Sequence, residues 1–387
     1  MDFQLAEEQK LVRETARDFV DRELIPHVRE WEEKGEIPRS FYAKMAELGF
    51  LGAPMPEKYG GAGMDYVSFM LLVEEISRGS SSVRTTVSVQ TSLSETSLLW
   101  FGSEEQKQRW LVPLAKGQKF GAWALTEPEA GSDAANLSTT ARLEGDEYVL
   151  NGQKRFISNG GMADYVQVYA REPGSKRHEG ISLFLVEKGT PGFTAPHVET
   201  RTKLGLRASP TADLAFEDCR IPAGNLIGKK GDGWNQTMKT LNSGRIGIAA
   251  GAVGVARAAL EAAVTYVKQR KAFGRPIGDF QLIREMIAQS AVEIDAARLL
   301  TLRAAHLRDL GQDNTVEVSM AKLFGAQMAQ RVTDWAVQVH GGYGFSGEFD
   351  VERYFRDARI LGLYEGTNEI QKLVIAERLL GPSSRNK

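Results

Sequence analysis

The chain has 387 residues, 42% hydrophobic and 25% charged, which is more than one hydrophobic core usually serves, so several packed domains are expected and disorder is not. Its 48 basic and 50 acidic residues leave a net charge of -2 without a basic block, which argues against a nucleic-acid partner; one cysteine, Cys219, and five scattered histidines exclude an internal disulfide and offer no metal-ligand spacing. A cytoplasmic setting, no metal and no membrane span are expected, because the first ten residues lack a signal-peptide apolar run and the longest apolar stretch, around 246–255, is too short to cross a bilayer.

Residues 1–120 read as an N-terminal helical domain. Leu5, Leu11, Val12, Ala16, Phe19 and Val20 recur at helical spacing between charges. Further helices are expected around 68–76 and 91–101, with Gly60-Gly61-Ala62-Gly63 as a loop and Pro113 and Gly117 as breaks. Over 121–232 the signal turns to β. Residues 148–150 lead into Asn151-Gly152, a dipeptide that predicts a hairpin turn; 166–169 and 182–186 read as strands; 211–216 and a turn at Ile221-Pro222 close the region. A small antiparallel barrel or sandwich is expected there, since strands and helices do not alternate as in a doubly wound sheet. Residues 233–387 read as a C-terminal helical bundle, with long amphipathic segments over 245–270, 280–310 and 316–339. The expected fold class is α+β and multidomain: helical, then β, then helical.

Two segments stand apart from this scaffold. Ala124-Leu125-Thr126-Glu127-Pro128-Glu129-Ala130-Gly131-Ser132-Asp133, where the helical domain gives way to the β region, is rich in small residues and hydroxyls, so its backbone can approach a planar polar ligand closely; read alone, it is equally a capped tight turn. Tyr364-Glu365-Gly366-Thr367-Asn368-Glu369 follows the apolar run Ile360-Leu361-Gly362-Leu363. A carboxylate buried at the edge of that run would have a raised pKa and suit proton abstraction from a weak carbon acid; read alone, it is a solvated glutamate ahead of a helix starting near Thr367. There is no Walker-A loop, no strand-linked GxGxxG and no GxSxG elbow.

These two segments, in this order and separation, resemble the signature regions of the acyl-CoA dehydrogenase family. The likeness runs end to end through Phe156-Ile157-Ser158-Asn159, Arg270-Lys271-Ala272-Phe273-Gly274, Gln338-Val339-His340-Gly341-Gly342 and Arg356-Asp357-Ala358. It implies an FAD enzyme in which Trp123, Leu125, Thr126, Gly131 and Ser132, with Phe156, Ile157 and Ser158, embrace the isoalloxazine. Phe156 stands where many members have tryptophan. The likeness further implies that Arg270, Phe273, Phe280, Gln281, Gln338, Val339, Gly341 and Gly342 hold the pyrophosphate and adenylate of a neighbouring subunit's FAD, in a homotetramer built as a dimer of dimers. Taken singly, Arg270 reads as a surface charge and Phe273 as a core residue.

Glu365 matches the family's catalytic base, Thr367 and Glu369 match FAD contacts, and Ser132, Asn242, Arg245 and Gly366 match positions near the bound acyl-CoA. Gly244 occupies the place where some members carry their base instead, and Asn242 departs from the aspartate usual there. The resemblance implies abstraction of an α-proton by Glu365 and transfer of the β-hydride to flavin, giving a trans-2-enoyl-CoA, with electrons passed to an electron-transferring flavoprotein. Short to medium straight acyl chains are expected. Arg84, four residues before Ser88, matches the arginine with which glutaryl-CoA dehydrogenases pair a distal carboxylate, and it also reads as a surface residue. An acyl-CoA oxidase or flavin monooxygenase on the same fold is a rival, weakened because oxidases usually carry an extra C-terminal domain and this chain ends at 381–387. A binding protein that has lost the chemistry is another.

Overall fold

The computed structural model describes residues 4–381; residues 1–3 and 382–387, which include most of the C-terminal stretch weighed against the oxidase reading, lie outside the described residues. Eight helices come first: α1 (Glu7–Phe19), α2 (Val28–Lys34), α3 (Arg39–Glu47), α4 (Tyr66–Gly79), α5 (Ser81–Ser88), α6 (Thr96–Phe101), α7 (Glu104–Gln106) and α8 (Val112–Ala115). Three of the starts carry a side-chain cap: the Asp65 carboxylate accepts from Ser68 N at 2.5 Å to cap α4, Ser80 caps α5 and Ser103 caps α7. The helix expected over 91–101 is instead the continuation of α5 through a π-helical turn, Val89–Glu95, into α6.

The sheet contains β1 (Gly121–Ala124), β2 (Thr140–Glu144), β3 (Glu147–Ser158), β4 (Tyr165–Arg171), β5 (Ile181–Glu187), β6 (Phe193–Glu199), β7 (Thr211–Pro222) and β8 (Leu226–Ile227). The order along it is β6-β7-β3-β2-β4-β5-β8, with β1 added parallel to β4; most pairs are antiparallel. Asn151-Gly152 makes no hairpin. The β2–β3 turn falls at Gly145-Asp146, and β3 runs straight through 151–152 with a bulge against β7. Asn151 is used there to exchange hydrogen bonds with Asp218, and Gly152 is needed because a Cβ would come within 2.6 Å of Thr139.

Five helices follow: α9 (Gly233–Gln269), α10 (Gln281–Asp309), α11 (Thr315–His340), α12 (Val351–Ala358) and α13 (Asn368–Leu380), with a two-stranded hairpin of β9 (Lys271–Ala272) and β10 (Arg275–Pro276) between α9 and α10. The helix expected from 245 begins twelve residues earlier, at Gly233. The apolar stretch at 246–255 therefore belongs to a 37-residue helix, the one among the described residues long and apolar enough to cross a membrane; 78% of its most apolar window is buried inside the protein. This is the central helix, packed on α4, α10 and α11.

Four glycines on successive turns of α9, Gly244, Gly247, Gly251 and Gly254, let other groups touch its backbone. A Cβ at Gly254 would meet Glu74 O at 2.2 Å, one at Gly251 would meet Arg84 Nε at 2.8 Å, and Gly247 faces the Ser88 and Ser92 hydroxyls. Each glycine costs about 1 kcal/mol of helix propensity relative to alanine, and close approach is what it permits in return. The result is a seam between the α5–α6 helix and α9, open to residues 364–366 at one side.

Candidate functional site

Glu365 sits at that seam. Its backbone is left-handed, φ +52°, as is Gly366 at φ +89°, a conformation that costs a non-glycine residue on the order of 1 kcal/mol or more. Two cations hold it: Arg245 Nε on α9 donates to Glu365 O at 2.9 Å, and Lys322 Nζ on α11 donates to Gly366 O at 2.7 Å. Gln371 Nε2 adds a second bond to Gly366 O at 3.1 Å. Thr367 caps α13, its hydroxyl accepting from Ile370 N, and Glu369 lies exposed in the first turn.

The Glu365 side chain is half-buried, and its Oε2 is buried with no hydrogen-bond partner. Burial pushes its carboxyl up to about 7, against the opposing pull of Arg245, Arg84 and Lys322. That value leaves a substantial carboxylate fraction at neutral pH together with high proton affinity, which is what a general base needs. Gly244 packs directly on it: a Cβ there would stand 2.2 Å from Glu365 Oε2.

Beside the carboxyl, Arg84 is 1% exposed, which excludes the surface reading. Its Nη2 donates to Tyr364 Oη at 2.5 Å, while its Nε and Nη1 are buried without partners. The Ser88 and Ser92 hydroxyls are likewise buried and unpartnered. Arg84, Ser88 and Ser92 lie one turn apart on one helix face, so this seam presents a cation and two hydroxyls to whatever enters it. Asn242 donates to Asn314 Oδ1 at 3.0 Å, and its Oδ1 has no partner.

The first signature loop is braced by a buried ion pair. Glu127 accepts from Lys154 Nζ at 2.8 Å, from Thr139 N and from both the backbone and hydroxyl of Ser138; Lys154 Nζ also donates to Leu125 O. Burial pushes Lys154 down to about 8; for Glu127 burial works upward, but Lys154 and the other donors outweigh it and bring the carboxyl down to about 2. Thr126 O accepts from Arg155 N, which joins the loop to β3 immediately before Phe156. Phe156 is left-handed at φ +59°, lies in a bulge between Lys154 and Ile157, and is 57% exposed. Ile157 is buried and Ser158 half-buried. Trp123 Nε1 is buried with no partner, Ser132 is exposed, and nothing lies within 4 Å of a Cβ built on Gly131.

This arrangement fits a flavin: an outward aromatic plane at Phe156 beside an exposed, hydroxyl-bearing loop of small residues, while the Trp123 indole packs inward, edge-on to the buried Tyr169 ring at 4.9 Å. Arg270, Gln338, Val339, Gly341 and Gly342 are brought together elsewhere, in a cleft of about 500 Å³ at the ends of α9 and α11. Arg270 stacks over the Tyr343 ring at 5.7 Å. Phe273 is 94% exposed, so the core reading of that residue is wrong; it points away from the protein at the tip of the β9–β10 hairpin, edge-on to Phe280 at 6.0 Å, with Gln281 exposed beside them. Sequence reasoning missed Lys322, Lys154 and Tyr364, whose roles come from tertiary contacts.

Three sequence models tile the chain: the acyl-CoA dehydrogenase N-terminal domain matches residues 6–118, the middle domain 122–219 and the C-terminal domain 231–380. The chain is 47% identical to the short-chain specific acyl-CoA dehydrogenase of Clostridium acetobutylicum, over 98% of this chain and 100% of that protein. It superposes on butyryl-CoA dehydrogenase from Megasphaera elsdenii with a TM-score of 0.95 and 44% identity, covering 98% and 100% of the two chains. A chain in the structure of the electron transferring flavoprotein of Acidaminococcus fermentans gives 0.96, at 45% identity and 99% and 100% coverage. A glutaryl-coenzyme A dehydrogenase complex gives 0.95, at 37% identity and 100% and 98% coverage.

Proposed function

The chain belongs to the acyl-CoA dehydrogenase family, and from that premise we propose that it dehydrogenates short acyl-CoA thioesters between the α and β carbons, with Glu365 as the base. The observation that carries this reading is the Glu365 carboxyl, raised to about 7 by burial, without a hydrogen-bond partner on Oε2 and held in a strained backbone by Arg245 and Lys322.

Glu365 takes the α-proton. Its backbone N–H is the donor proposed to polarise the thioester carbonyl, an oxyanion-hole role that stabilises developing enolate charge. The chemistry supplied by FAD, when bound, is acceptance of the β-hydride. Trp123, Leu125, Thr126, Gly131, Ser132, Phe156, Ile157 and Ser158 would hold its ring, and Thr367 and Glu369 would border it. The coenzyme A arm would follow an α9 stripe of Trp234, Met238, Asn242 and Arg245, about 16 Å long and set on one face by its spacing of four, four and three residues.

Assembly as a homotetramer completes the cofactor site in this reading. Phe273 at 94% exposure, with Leu282 and Val292 exposed along α10, supports a second copy covering that face, so that Arg270, Phe273, Phe280, Gln281 and the 338–342 segment reach a neighbour's FAD. Electrons would leave to an electron-transferring flavoprotein, a partner supported by the match to the Acidaminococcus structure.

A second reading of the substrate is favoured by Arg84. Its two unpartnered nitrogens, with Ser88 and Ser92, would give an acyl group ending in a carboxylate a buried partner at the end of the acyl seam. An anaerobic titration with butyryl-, octanoyl-, isovaleryl- and glutaryl-CoA, following loss of flavin absorbance, tests both. Bleaching by butyryl-CoA supports the first reading; bleaching by glutaryl-CoA at much lower concentration supports the second; no bleaching by any thioester contradicts both.

A further inference from the structure

Lys322 lies in the middle of α11 with no exposed surface. Among the described residues no carboxylate comes within ion-pair distance of it, and its ammonium is spent on a backbone carbonyl, Gly366 O at 2.7 Å, and on Asn368 Oδ1 at 3.4 Å. Burying an ammonium without a counter-ion is expensive, and the interior usually avoids it by pairing or by neutralising the group. A neutral side chain of similar length would satisfy α11 equally well. What the charge adds is a positive centre beside the residue that follows Glu365.

The surroundings of Glu365 make that addition specific. Arg245 on α9 and Arg84 on α5 are the other cations facing it, Tyr364 is its neutral neighbour, and Glu369 on α13 lies near Lys322 with Lys372 beyond. Arg245 bonds the carbonyl of Glu365 itself, while Lys322 bonds the next carbonyl from the opposite helix. The two consecutive left-handed residues are therefore clamped from α9 and α11 at once, and the carboxyl has no hydrogen bond of its own to fix it.

We propose that Lys322 is a positioning residue for the base: through its bond to the Gly366 carbonyl it holds Glu365 in the left-handed turn, and through its charge it keeps the carboxylate form of Glu365 accessible near neutral pH. The inference rests on the reading of Glu365 as the base. Lys322 touches neither substrate nor flavin in this account.

The test uses the flavin-loaded enzyme with Lys322→Met, which removes charge and donor, and Lys322→Gln, which removes the charge and keeps an N–H donor on a side chain one bond shorter. Measured are the pH dependence of kcat/KM, the anaerobic bleaching rate, flavin content and thermal midpoint. The expected result is an ascending pH limb displaced upward by a unit or more in both variants. Bleaching at pH 7 falls at least tenfold in Lys322→Met, recovers toward pH 9, and is less impaired in Lys322→Gln, with flavin content retained. A limb that stays in place in whichever variant folds overturns the inference, as does a loss of rate equal at every pH, which is what a purely structural tether would give. Failure of the wild-type enzyme to be bleached by any thioester is a different outcome and defeats the underlying reading of the reaction.

Discussion

Gly244 and Glu365, 121 positions apart in the chain, converge on one point: a Cβ on Gly244 would lie 2.2 Å from Glu365 Oε2. The two positions at which the family is expected to carry its base are therefore two approaches to the same place, and here the glycine makes room for the glutamate.

That contact predicts a sharp steric effect. Gly244→Ala should displace the Glu365 carboxyl by an ångström or more and lower kcat/KM by about 100-fold, the order expected for such a displacement. Since α9 gains helix propensity from alanine, the thermal midpoint should change little. Steady-state kinetics beside a melting curve checks both.

The raised carboxyl has consequences for rate and stability with opposite signs. As a base Glu365 must be ionised, so kcat/KM should rise with pH along a limb centred near 7 and flatten above it. For stability, a carboxyl whose folded pKa lies above the usual value near 4.5 disfavours the folded state as pH rises between roughly 4.5 and 7, because the unfolded chain ionises first. Below that window there is no effect, and above it the loss is constant. Glu365→Gln should thus stabilise the protein at pH 8, by on the order of 1–3 kcal/mol, and leave it unchanged at pH 4. Denaturant melts at the two pH values measure this.

In the second reading of the substrate, Arg84 selects an acyl group with a distal carboxylate. Arg84→Met should lower the ratio of kcat/KM for glutaryl-CoA to that for butyryl-CoA by about 30-fold or more, as expected for losing a buried charge-assisted contact of about 2 kcal/mol or more. An unchanged ratio would remove the carboxylate reading and leave the plain short-chain one.

The Glu127–Lys154 pair braces the loop on which Thr126 and Ser132 stand. Lys154→Met leaves Glu127 buried without its cation, and breaking such a pair costs about 3–5 kcal/mol. Flavin release during dialysis should accelerate in this variant before global unfolding is seen, and the spectrum of the released cofactor reports it.

Much of this molecule was legible in its sequence. The helical, β, helical order follows from periodicity alone; Glu365, which read alone as a solvated glutamate ahead of a helix, was singled out by the family resemblance. Other features were hidden for physical reasons. A glycine after asparagine marks a tight turn and a bulge by the same conformational freedom, so Asn151-Gly152 read as a hairpin while the turn formed at Gly145. Lys322 drew no reading, and Arg84 read as a surface charge or, through the resemblance, as a carboxylate partner, because nothing local distinguishes a buried cation from an exposed one; only tertiary packing puts both at nearly zero exposure. Phe273 reads as core by residue type, yet it stands almost fully exposed at a hairpin tip.

The central claim is that Glu365 removes the substrate proton. Anaerobic stopped-flow mixing of the flavin-loaded enzyme with the thioester that bleaches it best, compared between wild type and Glu365→Gln, tests it most directly. The account predicts that the variant retains its flavin and binds the thioester, but bleaches at least about 100-fold more slowly, the lower range for loss of a general base. Bleaching of the variant at a rate within a few-fold of wild type would contradict it and assign proton removal to another group.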